Sequence, residues 1–492
     1  MLTIVGPGSR PCDKVQTLHR RLVEGSIPAP APTVFPKKPM NQRDPEPSVY
    51  GEHSQGFPHG GKRLRLLLRL TLALCCFAIL SIGLSRDWQL RNEDNGAMHT
   101  TLALSHVELG LAQTRAHDLF FNPHTGQASR YGHHPPATAL AVAAAFALTG
   151  SDSPAVARLT VIVFHLGSVF LLTMLLGEFF GARRALLGGF VMATVPMSAY
   201  FGRMVNYEPL CLFAILVQLH AYVRFKRTGQ SRDLIWLAVG IVVGGFIDWP
   251  SFFFTATLAS GEITDVVRRR SSAFRLLAVL VISGTSAFVF DLWHLWYAGA
   301  DTITALVGVA STNHWQPDFT VTRFLGGQID TFRRYFTEIG LISVLLVGGC
   351  LARPRTQLSR NLFDVEHADV LKRMLLGAGA AAGLYVLTAP SWAMAHQYWQ
   401  FYFLPVAVTS IALLWALLQR AIVAHPTWLL RGLRVVCILN VLIGSAYWVY
   451  FRHSRVEAYA VEATAGFRST FLTPRSLQGE RGATERDVHG QR

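Results

Sequence analysis

The sequence predicts an all-α polytopic membrane protein with about eleven transmembrane helices. Of its 492 residues, 51% are hydrophobic and 15% charged, whereas a soluble domain carries about 25% charge. The apolar residues are gathered into blocks of the length a helix needs to cross ~30 Å of hydrocarbon. Lysine and arginine fall in alternate loops between those blocks, as the positive-inside rule requires. That alternation also explains the net charge of +15 without nucleic acid, because no contiguous basic face is formed.

Residues 1–63 are rich in proline, glycine and charge (IPAPAPTVFPKKPMNQRDPEP) and have no apolar period, which predicts a disordered cytoplasmic tail. The first span, about 66–84, follows Lys62, Arg63 and Arg65. These cations hold the N-terminus inside and send the next loop outside. No small-residue cleavage site precedes that loop, so the span is expected to be an anchor. Further spans are expected near 155–177, 185–201, 208–223, 234–249, 251–266, 276–297, 339–352, 374–390, 401–419 and 433–450. The loops this order puts inside carry Arg183 and Arg184, RFKR, Arg268 to Arg270, ARPRTQLSR with LKR, and LLRGLR, and every one is basic. The core domain therefore covers 64–451, with large outer loops at 87–154 and 298–338 and a polar C-terminal tail at 452–492. The Ala-rich stretch 137–148 is too short to span and is expected to pack as a helix at the outer surface. The six cysteines show no metal-ligand spacing, and all but Cys12 lie in apolar spans as packing residues.

A connection between two spans needs few residues, yet the first outer loop is long and chemically dense. Glu93 and Asp94 lie just beyond the first span, where a carboxylate meets both membrane-anchored and aqueous substrates and can take a proton from an acceptor hydroxyl. Tyr131, His133 and His134 precede Pro135 and Pro136, which fix the backbone where the chain returns to the membrane. Adjacent imidazoles diverge, so the pair suits a phosphate or sugar hydroxyl better than a metal. A second outer edge, FGRMVNYEP, supplies Arg203, Asn206, Tyr207 and Glu208; its guanidinium matches phosphate oxygens. The turn IDWP supplies Asp248, and HQYWQFYFLP supplies His396 and Tyr398. Aromatic belts account for Trp and Tyr there, but ionisable groups at a membrane edge usually face protein or a cavity. The second outer loop adds Asn313, His314, Trp315, Arg323, Arg333 and Arg334, a mixture suited to sugar stacking and phosphate neutralisation.

In order and sidedness, EDNG, YGHHPP, FGRMVNYEP, IDWP and HQYWQFYFLP resemble the GT-C superfamily of polytopic glycosyltransferases over roughly residues 64–450. Within it the likeness is to the branch of protein O-mannosyltransferases, the aminoarabinose transferase of lipid A and the RgtA-like enzymes, known as glycosyltransferase family 39. The resemblance implies inverting transfer from a polyprenyl-phosphate-linked monosaccharide. The acceptor would be a lipid, glycan or protein at the outer face of a bacterial inner membrane. It gives Asp94 the part of catalytic carboxylate, with Glu93 as the alternative or as a donor-positioning neighbour. His133, His134, Arg203, Glu208, Asp248 and His396 are implied to line the cavity, with Arg203 on the donor phosphate and Arg333 or Arg334 behind it. No cofactor is required, although a divalent metal is allowed. The chain departs from its relatives in the histidine pair, in Glu208 and in having only a short C-terminal tail. The other readings are a transporter or flippase of a lipid-linked sugar, against which stands the lack of a clear internal repeat, and a non-catalytic scaffold, which leaves the outer-edge acids unexplained.

Overall fold

The computed structural model describes residues 60–121, 128–268, 270–298 and 319–456, together with residues 461, 464 and 465. Residues 1–59 of the expected N-terminal tail lie outside the described residues, as do Asn313, His314 and Trp315, whereas residues 60–63 begin the first helix. Helix α1 is Gly60–Leu80, and the first outer loop folds into α2 (Asp94–Thr114), a hairpin of β1 (Leu119–Phe121) and β2 (Ala128–Arg130), and α3 (Ala137–Thr149). The hairpin is antiparallel, with Leu119 opposite Arg130. After it come α4 (Pro154–Phe180), α5 (Ala182–Thr194), α6 (Pro196–Phe201), α7 (Tyr207–Thr228), α8 (Ser231–Gly245), α9 (Pro250–Val267) and α10 (Ser271–Ala298). The chain resumes with α11 (Val321–Ala352), α12 (Gln357–Leu362), α13 (Ala368–Thr388) and α14 (Pro390–Ala395). A 3-10 turn, Gln397–Phe403, then leads into α15 (Leu404–Ala424), and α16 (Trp428–Ser454) follows.

Among the described residues, seven helices are long and apolar enough to cross a membrane by length and composition. The other four expected spans fall on α1, α5, α8 and α9, which are shorter or less apolar over the described residues. Local sequence sets several boundaries. Ser153 accepts a hydrogen bond from Val156 N beside Pro154 at the first helical position, and Thr320 and Thr427 cap α11 and α16 in the same way. Each side-chain oxygen satisfies one of the backbone donors that a helix start leaves unpaired.

Two helices form the centre of the bundle, because α7 and the segment Gln397–Ala424 are mostly buried while α10 and α16 are mostly exposed to the surrounding bilayer. α7 packs on α4 and α8, α9 packs on α10 and α13, and α11 packs on α15. At the basic ends of the spans, Lys226 of α7 binds Glu262 at 2.9 Å and Asp265 at 3.2 Å on α9. Arg373 of α13 reaches Asp265 at 2.7 Å. Both acids are fully buried, so this network pins three helices through charges that none could bury alone.

The described end of the second outer loop is helical. α11 begins at Val321 and runs through to Ala352, interrupted at Thr337, whose φ is +67°. The interruption frees the Ile339 N–H, which donates to Asn440 Oδ1 on α16 at 3.2 Å, while Asn440 Nδ2 donates to Glu338 Oε2 at 2.8 Å. A side chain from a neighbouring span thus replaces a broken backbone bond, as a membrane interior demands.

The start of α2 is wedged over Trp88. A Cβ at Gly96 would lie 2.3 Å from the Trp88 ring, so EDNG needs glycine there for close approach. Gly96→Ala is expected to destabilise the protein by about 1–3 kcal/mol through overpacking, read as a lowered melting temperature in detergent. An unchanged midpoint would show that Trp88 moves freely.

Candidate active site

Glu93 and Asp94 are neighbours with opposite surroundings. Glu93 is 6% exposed, and its Oε1 accepts from Arg158 Nη2 at 3.1 Å and Arg203 Nη2 at 2.9 Å. Its Oε2 accepts from the backbone N–H groups of Gln89 at 3.1 Å and Leu90 at 3.0 Å. Four donors therefore hold one carboxylate. Arg158 also donates to the carbonyls of Leu84, at 2.8 Å, and Arg86, and its guanidinium lies 4.2 Å above the Trp88 ring. Tyr200 closes the same turn by donating to Arg91 O at 2.8 Å. A charge so engaged has no lone pair to offer a substrate, so Glu93 is not a second candidate base.

Asp94 opens α2 in the first turn, is half-buried, and has no side-chain partner. Burial pushes its carboxyl above the usual aspartate range, only partly offset by the N–H groups of Asp94 and Asn95. Those donors are the unpaired ones of the helix start, and they favour an anion. Asp94 is thus a carboxylate that is not consumed by structure and is more basic than an exposed aspartate.

Asp94 does not itself line the neighbouring cavity of about 850 Å³; Asn95, the next residue, does, together with residues from the rest of α2, the α2–α3 connection, α7, α9, α10, α13 and the 390–399 segment. Asn95, Tyr131, His133, His134, Asn206, Glu208, His396 and Tyr398 all line it. Two sequence motifs far apart in the chain meet in its wall. His134 Nδ1 donates to Asp248 Oδ1 at 2.9 Å, Trp249 Nε1 donates to His133 O at 2.8 Å, and Tyr402 donates to Asp248 Oδ2 at 2.9 Å. The His134 ring stacks on Tyr207, with centroids 4.3 Å apart. Asp248, 1% exposed, is therefore a brace for His134 rather than a wall residue itself. His99 packs edge-on against Tyr207 and contacts Asn206 Oδ1 through Nε2 at 3.0 Å. Burial takes its pKa down to about 4, so the ring is neutral and donates Nε2–H to the amide oxygen. His396 contacts the Tyr398 hydroxyl at 3.0 Å and is likewise pushed down to about 4 by burial.

Three arginine expectations are corrected. Arg203 does not line the cavity; it is 2% exposed and spent on Glu93. Arg333 and Arg334 sit on α11 and pair within one helical turn with Asp330, at 3.3 Å and 2.7 Å, with side chains 53% and 41% exposed. Spacing of three and four residues made that local pairing available. Arg323 is on the exposed first turn of α11. Sequence reading missed Arg158, His99 and Tyr402. The signal for Arg158 was present, a lone cation inside the apolar run PAVARLTVIV, where an ionisable group needs a partner. Among the described residues no group of three or more His, Cys, Asp or Glu is arranged to hold a metal ion.

Residues 133–259 match the family profile of dolichyl-phosphate-mannose-protein mannosyltransferases. That segment contains His133, His134, Arg203, Asn206, Glu208 and Asp248. No curated protein matches the sequence. Among solved structures, the oligosaccharyltransferase AglB from Archaeoglobus fulgidus, in complex with an inhibitory peptide and a dolichol-phosphate, superposes with a TM-score of 0.55 at 12% identity. The match covers 86% of this chain and 59% of AglB. ArnT from Cupriavidus metallidurans bound to undecaprenyl phosphate superposes with a TM-score of 0.50 at 14% identity, covering 84% of this chain and 78% of ArnT. The chain is thus a membrane protein with the GT-C glycosyltransferase fold, and it spans a little over half the length of AglB.

The clamp and the α11 pairs differ in burial, which predicts a contrast. Arg158→Met leaves Glu93 partly unneutralised in the interior and is expected to lower stability by about 3–5 kcal/mol. Arg333→Met removes an exposed pair contributing roughly 0–1 kcal/mol. Thermal unfolding of the two variants side by side checks this, and equal midpoints would contradict the clamp.

Proposed function

We propose that the protein is an inverting glycosyltransferase. It moves a monosaccharide from a polyprenyl-phosphate donor to a lipid, glycan or protein acceptor at the outer, periplasmic face of the membrane. The observation that carries this reading is the division of labour in the Glu93–Asp94 pair. One acid is saturated by two arginines and two amides. The other has no side-chain partner and opens a helix whose second residue, Asn95, lines a cavity large enough for a sugar. The dolichol-phosphate and undecaprenyl phosphate found with AglB and ArnT support a polyprenyl phosphate as the carrier here.

In the reaction, an acceptor hydroxyl oxygen attacks the anomeric carbon on the face opposite the phosphate. A bond forms between acceptor oxygen and carbon as the bond from carbon to phosphate oxygen breaks. The acceptor proton passes to Asp94, and the bonding pair leaves with the polyprenyl phosphate. The phosphate is a competent leaving group without protonation, so positioning and electrostatics carry most of the barrier lowering. Aromatic faces of Tyr131, Trp249 and Tyr398 offer stacking surfaces to the sugar, while Asn95, Asn206 and the histidines offer hydrogen bonds. Glu93, Arg158 and Arg203 are positioning residues that fix the turn leading into Asp94.

Three outcomes test the assignment. Transfer of radiolabel from a polyprenyl-phosphate sugar to membrane-extract acceptors is expected with the wild type, and with Asp94→Asn to fall by at least about 100-fold, the usual contribution of a general base. Label that crosses a vesicle bilayer while staying on its lipid would instead establish a flippase. Because Asp94 must be ionised to accept a proton and burial raises its pKa, activity is lost as pH falls. The acid limb of kcat/KM should lie above the range of an exposed aspartate. A carboxyl whose folded pKa is raised is stabilised in its protonated form, so above the unfolded pKa its charge opposes folding. Asp94→Asn should therefore melt higher than the wild type at neutral pH while being inactive, and a lower midpoint would contradict the burial of this charge.

A further inference from the structure

The turn that leads into α2 is held by the far end of the chain as well as by the two arginines. Arg86 O accepts from Arg158, the amides of Gln89 and Leu90 donate to Glu93, and Arg91 O accepts from Tyr200. Two further handles reach the C-terminal end. Arg86 Nη1 donates to the carbonyl of His453, in the last turn of α16, at 2.9 Å across 367 residues. Thr464 Oγ1 donates to Trp88 O at 2.9 Å across 376 residues. The His453 ring also meets Tyr200 edge-on, with centroids 5.5 Å apart. Thr464 is helical and 5% exposed, whereas Val461 and Ala465 are exposed. A hydroxyl is thus buried against the turn from a stretch that the sequence alone presents as a polar tail.

Trp88 is the member of that turn with the least room to move. It is 3% exposed, its ring lies 4.2 Å beneath the Arg158 guanidinium, and it fills the space beside Gly96. Close-packed groups pass a displacement on rather than absorb it. A shift of Trp88 is therefore felt at Gly96, within the first turn of the helix that Asp94 opens. We propose that Thr464 is a positioning residue for Asp94, and that the segment after α16 belongs to the catalytic scaffold. The inference rests on Asp94 being the base of the transfer reaction and adds a contact that sets its place. Thr464 touches no reacting atom. Its hydroxyl holds one backbone carbonyl, and the residue bearing that carbonyl seats α2. A buried carbonyl deprived of its donor is costly, so without the hydroxyl the backbone at Trp88 turns to find another.

The test uses the full-length protein in nanodiscs, as wild type, Thr464→Val, Thr464→Ser and Thr427→Val. The last variant loses only the cap at the opposite end of α16. Steady-state transfer from a polyprenyl-phosphate sugar is one readout, and hydrogen–deuterium exchange of the amides of residues 89–96 is the other. Thr464→Val is expected to lower kcat by at least about tenfold with KM for the donor within about twofold, because misplacement of a reacting group acts on the chemical step. Exchange of the 89–96 amides should rise about tenfold, as loss of one buried hydrogen bond implies. Thr464→Ser should restore both, and Thr427→Val should change neither. Wild-type kcat and exchange in Thr464→Val overturn the proposal, as does an equal loss of kcat in Thr427→Val or a failure of serine to rescue. If Thr464→Val does not fold, Thr464→Cys, a weaker donor, takes its place; an intermediate kcat supports the contact and a wild-type kcat overturns it. If the wild type transfers no sugar, the transferase reading fails, and the exchange data alone decide whether Thr464 holds the turn. If Asp94→Asn abolishes transfer while Thr464→Val leaves it intact, only the present inference falls.

Discussion

The end of the molecule that holds the cavity is organised around one carboxylate. Glu93 gathers two guanidiniums and two amides onto its two oxygens, and each partner belongs to a different part of the chain. Arg158 comes from the first turns of α4, Arg203 from the turn after α6, and the amides from the turn that follows α1. Neither arginine could be buried to the degree observed without that negative charge. The same contacts draw Trp88 under Arg158 and against Gly96, so the angle at which α2 leaves the turn is fixed by packing and charge together. A charge cluster of this kind is weak evidence for net stability but strong evidence for a unique arrangement, since every alternative strands an ion in low dielectric.

From that fixed point, the cavity wall is assembled by pairing motifs that are remote in sequence. YGHHPP carries His134 to Asp248 of IDWP, more than a hundred residues later, and Tyr402 from the late aromatic segment closes the same acid. The two prolines after His134 hold the backbone rigid as it enters α3, and Pro250 begins α9 directly after the braced acid. Imidazole, carboxylate and phenol thus satisfy one another at a level where few other partners exist. Stacking of His134 on Tyr207 extends the brace to α7, one of the two most enclosed spans among the described residues. The wall stands on the interior of the fold while its contents face the cavity.

Much of this was legible in the sequence, and the losses have identifiable causes. Apolar blocks and basic loops gave the helices because length and charge sidedness are properties of the segment itself; each expected span falls on a helix. The helix in the second outer loop was not read because VTRFLGGQIDTFRRYF is too polar to register as a span, although it is helical up to Thr337. The hairpin of two three-residue strands was too short for any period to register. At the site, EDNG, the histidine pair, Glu208, His396 and Tyr398 were found because polar residues at an apolar boundary stand out. The fate of each cation was not, since whether Arg203 meets a substrate or Glu93 depends on contacts made across more than a hundred residues. Arg333 and Arg334 misled for the opposite reason: their partner Asp330 lies within one turn on their own helix, and a count of arginines in an outer loop ignores it.

Glu93 and Asp94 also show why adjacency in sequence does not mean equivalence in chemistry. Glu93 precedes the first turn of α2 and turns back onto the segment that leads into it, where amides and guanidiniums wait. Asp94 is the first helical residue and meets only the loose N–H groups of the helix start. One residue of offset is thus enough to separate a carboxylate bound by two guanidiniums and two amides from one whose burial favours the proton. Neighbouring acids can take different roles when their environments differ, and here the backbone itself makes the separation. Exchanging the two residues would leave the shorter side chain short of Arg158 and Arg203. The order Glu then Asp is accordingly a structural requirement of the turn as much as a chemical one of the site.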